Sequence, residues 1–514
     1  MDWSMSTTTD CAGCSTTMVG ITRATSPTRI RTCSSGWPAP SFLTKTARAS
    51  TAAELFAYGF ALDSSPGEIM ATKMAPRSEG ISYQELIAND VVPPPETLTL
   101  EGIFESPITS VPVSRYSTPE FHAIEMERVW PKVWQMACRE EEVPEVGNYL
   151  IYEIGPYSIL VVRTAEGIVA HHNVCRHRGR RLCDAPGKVS NFICPFHGFS
   201  WNIDGSLRGV TSEWDFPHID KKDFTLTPVL CDSWGGWVFI NMDLEAQPLA
   251  EFLGVLPEHF AVWSPEDRYI EAHVAKIMGC NWKACQEAFM EAFHVVATHP
   301  QILGGIGDEN SQYDAWGNVS RAITPNGTPS PHLRFEPTEQ EMFDSITMRD
   351  LDSESMMQVP EGMTARAFMA EGARAGLQPI VGEDTPISDA CVSDSIYYTL
   401  FPNFHPWGGY NRIVYRFRPY DNRHDKSIME CYFMSPFAGE RPDPAPIHWL
   451  AEDEPWTNAP ELGMLARVFM QDTFNLPKVQ IGLMAAQYDS IVLANYQETK
   501  IRHFHHTLEG YISD

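Results

Sequence analysis

Two pairs of cysteine and histidine stand out near the middle of the chain. The first is Cys175-Arg176-His177. The second is Cys194-Pro195-Phe196-His197-Gly198, and sixteen residues separate the two. Each pair offers one thiolate and one imidazole from a short loop between strands. Two thiolates can hold one iron of a [2Fe–2S] cluster and two imidazoles the other, which raises the reduction potential well above that of an all-cysteine cluster. A structural zinc finger also uses two cysteines and two histidines. It groups them Cys-x₂₋₄-Cys and His-x₃₋₅-His, not one of each per loop, so the spacing favours the cluster. His171 and His172 precede the first loop on a strand and read as structural. Cys183 lies off the pattern.

A second constellation sits on a segment expected to be helical over 281–299. Glu291 and His294 are three apart and share a helix face. His294 and His299 are five apart, about 140° around an ideal helix, so an undistorted helix cannot bring both to one ion. Pro300 offers a solution, because it pushes His299 out of helical geometry; a π-bulge would do the same. Two imidazoles and a carboxylate on one side of an iron form the facial triad of non-haem Fe(II) oxygenases. The bland alternative is a polar helix face with two satisfied histidines. The third ligand is expected at Asp472, which follows the apolar run Val468-Phe469-Met470. A single carboxylate among apolar neighbours is costly to bury unless paired or metal-bound; a merely exposed Asp472 is the alternative. Glu452-Asp453-Glu454 fits less well, in a Pro-rich solvated loop.

These residues need a scaffold. A length of 514 residues suggests roughly two to four domains. A net charge of −28 argues against nucleic acid or anionic lipid as the main partner. No apolar run approaches the ~18 residues of a membrane span. Twelve scattered cysteines suit a reducing compartment, and a cytoplasmic protein is expected. Residues 1–74 read as a disordered leader or a start called too early, with Met70 or Met74 as the working start. Their Ser/Thr and basic composition also resembles a transit peptide, and Cys11-x-x-Cys14 there reads as chance spacing. Residues 75–132 form a linker and the first part of a catalytic domain, with a helix over 118–135 capped by Thr118 and started by Pro119. Residues 133–245 read as a small β domain, with strands at 149–154, 158–163, 168–174 and 236–241. Residues 246–514 mix helices with strands at 395–402, 411–418 and 427–435. A last helix is expected over 461–487, interrupted near Pro477. Residues 322–390 show no sustained period and read as a lid over a pocket. Phe289, Ala288, Ala292 and Val295 are candidates for its wall.

From about residue 95 to 514 the chain resembles the α (terminal oxygenase) subunit of Rieske non-haem iron aromatic-ring-hydroxylating oxygenases. The motifs carrying the resemblance are Cys175-x-His177, Cys194-x₂-His197, and Glu291 with His294 and His299. The resemblance implies an α+β fold: a small all-β Rieske domain inserted near the start of a helix-grip catalytic domain with an antiparallel sheet. It implies cluster ligands Cys175, His177, Cys194 and His197, and iron ligands His294, His299 and Asp472. It gives Glu291 the catalytic bridging role, linking His197 across a subunit interface to His294. It implies electrons from NAD(P)H through a separate flavin reductase or ferredoxin, and a homotrimer, sometimes with a small β subunit. Many ring-dihydroxylating members carry Asp at the bridge and Asn where this chain has Glu287. Some members acting on quaternary ammonium compounds carry Glu at the bridge. The family resemblance implies hydroxylation of an aromatic or related substrate, and the departures at Glu291 and Glu287 leave the substrate class open. Monooxygenation or demethylation of a quaternary ammonium compound is the alternative, and a non-catalytic electron carrier or sensor a more distant one.

Overall fold

The computed structural model describes residues 78, 80–347 and 357–513. The expected leader lies outside them. Two large sheets organise the described residues. One has seven strands, in the order Gln135–Arg139, Trp237–Asn241, Pro228–Trp234, Ile168–His172, Tyr157–Arg163, Asn148–Ile154 and Gly187–Lys188. All its pairs are antiparallel. Its central run Ile159–Val162 is buried on both faces, as a continuous apolar strand should be. A three-stranded sheet, Asn191–Ile193, Ser200–Asn202 and Leu207–Gly209, completes this β-rich part.

The other large sheet has eight strands. Its order is Gln312–Trp316, Val319–Thr324, Ser395–Leu400, Phe404–Pro406, Ile413–Pro419, Ser427–Pro436, Arg268–Met278 and Ile447–Leu450. Only the last pair is parallel. Helix Trp282–Glu287 packs on strands Ile413–Pro419 and Ser427–Pro436 and against helix Leu465–Ala485. This is the antiparallel sheet gripping helices that the resemblance implied.

One core joins the two sheets. Trp237 of the first lies 5.2 Å from Phe404 and 5.3 Å from Tyr432 of the second, ring to ring. Phe239 meets Phe404 at 5.4 Å. Aromatic burial on this scale dominates a core's energetics, so the seam is as dry as the interior of either part.

Four expectations need correction. The segment 281–299 is not one helix. It is Trp282–Glu287, a run of turns, and the single turn Val295–Thr298. The region 322–390 is not irregular. It holds the end of a strand, then helices Glu339–Ile346 and Ala365–Val381 and the start of Asp389–Ser393, with 348–356 outside the described residues. Thr338 and Thr364 cap the first two of these helices. The last-but-one helix runs through Pro477 without ending, over Leu465–Ala485. The expected helix over 118–135 starts on Thr118 and Pro119, then widens into a π-helical turn at Glu125–Val129 and stops. There the fully buried Glu125 meets the fully buried Lys283 at 2.7 Å.

Candidate metal centres

The two Cys/His loops are built alike. Cys175 N–H donates to Arg180 O and Cys194 N–H to Phe199 O, each at 2.8 Å. Gly179 N–H returns to Cys175 O at 2.9 Å, and Gly198 N–H to Cys194 O at 3.0 Å. Both returns come four residues on, and both need a left-handed residue: φ is +72° at Gly179 and +76° at Gly198. The sequence hides this likeness, because the histidine sits two residues after one cysteine and three after the other.

The loops bring their four expected ligands together. The His177 and His197 rings are 4.6 Å apart at 75°. Cys175 and Cys194 are buried, and their thiols contact each other. Burial pushes the Cys175 thiol up, while the His177 and Arg178 amides that donate to its sulfur pull it down. His177 Nδ1 and His197 Nδ1 are buried with no hydrogen-bond partner among the described residues. Orphaned buried polar atoms call for an explanation. Two soft sulfurs and two imidazoles facing one space fit a [2Fe–2S] group of the Rieske type.

The second centre begins at Glu291. Its Oε2 accepts from His294 N–H at 2.9 Å, holding the turn, and its Oε1 accepts from His294 Nδ1 at 2.8 Å. His299 has φ −126° and ψ 49°, outside the helical region, as a residue before proline should be. That departure aims its ring back toward Asp472. His299 Nε2 lies 2.7 Å from Asp472 Oδ1, and His294 Nε2 lies 3.5 Å from the same oxygen. One ligand atom from each of the three falls within 4.8 Å of the others. His299 Nδ1 donates to Gln471 Oε1 at 2.9 Å, and that oxygen also accepts from Gln301 Nε2 at 2.8 Å. Both histidines thus spend Nδ1–H on an outer oxygen and present Nε2 inward, the usual support for a metal-binding imidazole.

Electrostatics favour a cation here. Burial works to lower the His294 pKa, but Glu291 and Asp472 outweigh it and raise it to about 10. Burial pushes Asp472 up, and hydrogen bonds from His294 and His299 more than reverse that, leaving it lowered. His299 and Asp472 are buried, whereas the His294 side chain is 27% exposed and marks the open side. Two imidazoles and one carboxylate with an open side fit an Fe(II) triad.

Aromatic rings flank the triad. Phe289 lies 5.3 Å from Tyr415 and 5.9 Å from Phe469. Trp407 stacks on Tyr397 at 5.3 Å and meets Tyr415 edge-on at 6.1 Å. Tyr415 feels the Asp472 charge, and Tyr397 that of Glu291. Phe289 was expected in this wall; Ala292 and Val295 pack instead in a small cluster with Ile302 and Leu303.

Sequence reasoning missed two supports. Gln471 was visible as a polar neighbour of Asp472 in an apolar run. Glu287 was noted only as a departure, yet its carboxylate accepts from Tyr116 Oη at 3.0 Å and His505 Nε2 at 2.9 Å. Arg115 donates to His505 Nδ1 at 3.2 Å, which fixes the proton on Nε2. Glu291 meets the His294 half of its expected bridge. Among the described residues His197 Nδ1 has no partner.

The Rieske [2Fe-2S] domain family matches residues 133–218, and the ring-hydroxylating alpha subunit (catalytic domain) family matches residues 260–514. The chain belongs to the α subunits of Rieske non-haem iron ring-hydroxylating oxygenases. It is 34% identical over 198 residues to the glycine betaine monooxygenase oxygenase subunit of Pseudomonas aeruginosa, covering 38% of this chain and 46% of the relative. It is 32% identical over 206 residues to the chlorobenzene dioxygenase subunit alpha of a Cupriavidus strain, covering 38% and 45%. The match thus spans about half the length of these relatives. A solved quaternary ammonium Rieske monooxygenase of carnitine oxidation shares the fold, with a TM-score of 0.55 at 17% identity over 78% of this chain and 95% of that one. No helix among the described residues is long and apolar enough to cross a membrane.

Proposed function

We propose that this chain is a terminal oxygenase component that inserts oxygen into a quaternary ammonium compound. The convergence of His294, His299 and Asp472 on one point, in a chain that also carries the paired Cys/His loops, supports this reading above all. In it, Cys175, His177, Cys194 and His197 hold a [2Fe–2S] cluster, and His294, His299 and Asp472 hold Fe(II). Residues 133–245 form the cluster domain and 246–514 the catalytic domain. Bound there, the cluster supplies one-electron transfer and the Fe(II) supplies oxygen activation. For a monooxygenation, substrate, dioxygen, two electrons and two protons give hydroxylated product and water. The electrons come from NAD(P)H through a separate reductase or ferredoxin, in the cytoplasm, and the working assembly is a ring of three chains.

The protein's own groups do the rest. Glu291 fixes the His294 ring and keeps a proton acceptor on its outer nitrogen. Gln471 does the same for His299. The rings of Phe289, Tyr415, Trp407 and Tyr397 keep water out and offer π faces. A trimethylammonium group is attracted to such faces by the ring quadrupole. Glu291 at the bridge and the likeness to a glycine betaine monooxygenase support this substrate class.

Aromatic ring hydroxylation is the second reading. The likeness to a chlorobenzene dioxygenase and the same apolar rings favour it. The test is oxygen uptake by the iron-loaded protein with a reductase. Glycine betaine, choline, carnitine and a panel of benzoates and polycyclic hydrocarbons are offered in turn, and products are identified by mass spectrometry with labelled dioxygen. Uptake coupled to an ammonium compound supports the proposal. Coupling only to aromatics replaces it with the second reading, and no coupled uptake with any compound rejects the oxygenase assignment.

A further inference from the structure

Glu430 lies at the centre of strand Ser427–Pro436 and is fully buried. Both its oxygens are taken by Arg416 of the neighbouring strand, Nε to Oε2 and Nη2 to Oε1, each at 2.6 Å. Arg418 Nε adds a contact to Oε2 at 3.2 Å, and His273 Nε2 one to Oε1 at 3.3 Å. Burial pushes the Glu430 carboxyl up, but Arg416 and Arg418 more than offset this, and it stays ionised.

The free ends of both guanidinium groups leave the catalytic sheet. Arg416 Nη1 donates to Met136 O at 3.3 Å and, more closely, to Ala137 O. These belong to Gln135–Arg139, the edge strand of the Rieske sheet. The pairing of that strand slips between Met136↔Phe239 and Cys138↔Val238, so Ala137 is the bulged residue. A buried edge with open carbonyls is costly unless something donates to it. Arg418 Nη1 donates to Glu153 O at 2.9 Å, a solvent-exposed contact on strand Asn148–Ile154 near the sheet's other side. Tyr152 lies between, its ring 5.7 Å from one guanidinium carbon and 5.8 Å from the other. The Rieske part answers in kind. Arg139 Nη2 donates to Arg268 O at 2.8 Å, and Glu141 Oε1 accepts from Ile270 N–H at 2.6 Å.

We propose that Glu430, Arg416 and Arg418 form a clamp that fixes the Rieske domain on the catalytic domain of its own chain and so sets the pose in which its cluster faces, across the subunit interface, the mononuclear iron of a neighbouring chain. One carboxylate orients two arginines, and each grips a different strand of the Rieske sheet. A domain held at two separated strands can neither slide nor rotate about one contact. Glu430 is a positioning residue; it touches no proposed ligand. The inference rests on the two-centre reading above.

The test uses the full chain loaded with cluster and iron, chemically reduced and mixed rapidly with dioxygen and glycine betaine. Cluster reoxidation is followed by its visible absorption, with and without iron in the mononuclear site. The difference is the iron-dependent transfer rate. Removing one partner of a buried ion pair is strongly destabilising, so Glu430→Gln is accompanied by the milder Arg418→Met. The clamp predicts that Arg418→Met keeps iron, sulfide and cluster midpoint potential while its iron-dependent rate falls about tenfold or more, the size expected when a centre is displaced by a change far from it. Arg418→Lys should recover part of the rate. An unchanged rate in Arg418→Met overturns the proposal, as does loss of either metal from that variant, because the arginine would then build a site and not place it. Absence of any iron-dependent rate in the unsubstituted protein instead rejects the two-centre reading and the clamp's role with it.

Discussion

His299 Nε2 and Asp472 Oδ1 are 2.7 Å apart, although 173 positions separate them in the chain. The contact joins the turn after the broken 281–299 segment to the middle of a long helix. It defines where a cation would sit. Replacing Asp472 by Ala should remove the mononuclear iron and all oxygenase activity while acid-labile sulfide and the cluster spectrum stay unchanged. Iron and sulfide analysis of the purified variant checks this, and parallel loss of sulfide would show that the two centres are not separate.

Gln471 should matter almost as much without touching the metal. Gln471→Leu removes the acceptor for His299 Nδ1 and frees the ring's tautomer. Outer partners of this kind are worth about 10- to 100-fold in metal affinity. Iron titration followed by the nitric oxide adduct of Fe(II) would measure the loss.

The raised pKa of His294 has a definite sign. In iron-free protein the charged ring gains Glu291 and Asp472 as partners on folding. That stabilisation is fully present below pH 6.5 and is lost as pH rises through about 10. Iron-free protein should therefore lose thermal stability across that window. Fe(II) must displace the same proton, so binding near neutral pH should release it and tighten as pH rises. Calorimetry in buffers of different ionisation enthalpy counts the proton.

Gly198 and Gly179 should respond differently to alanine. Both pay the left-handed cost of roughly 1–2 kcal/mol. At Gly198 the new Cβ would also lie 2.6 Å from Thr211 Oγ1, whereas at Gly179 it meets nothing within 4 Å among the described residues. Gly198→Ala should therefore lose more cluster absorption on purification than Gly179→Ala. Equal retention would mean that the Thr211 hydroxyl simply turns aside.

Much of both candidate centres was legible in the chain because their proposed ligands, Asp472 apart, come as tight local patterns. Cys175, His177, Cys194 and His197 announce themselves by type and spacing. Pro300 explains in advance why His299 can turn back. The supports were not legible, because they are long-range. Glu430 meets Arg416 on the neighbouring strand, and Arg416 in turn reaches the backbone of Met136 and Ala137, nearly three hundred positions earlier. Helix Thr499–Ser513 escaped notice for another reason. It buries Lys500, Arg502, His503 and His505 beside Ile501, Phe504 and Leu508, so its inner face does not look apolar. Hydrophobic periodicity finds helices only when the hidden side is greasy. The unbroken helix expected over 281–299 failed because its composition is helical throughout, while Glu291 caps a turn that divides it.

The shared aromatic seam has a practical consequence for anyone dissecting the molecule. Trp237 and Phe239 would be stripped bare if residues 133–245 were excised, and the bulged margin at Ala137 would lose its guanidinium cover. Such a fragment would offer a raw strand border beside a greasy plateau, the ingredients of edge-to-edge aggregation. The iron–sulfur module of this chain is thus not a detachable part, and expressing it alone should yield insoluble protein.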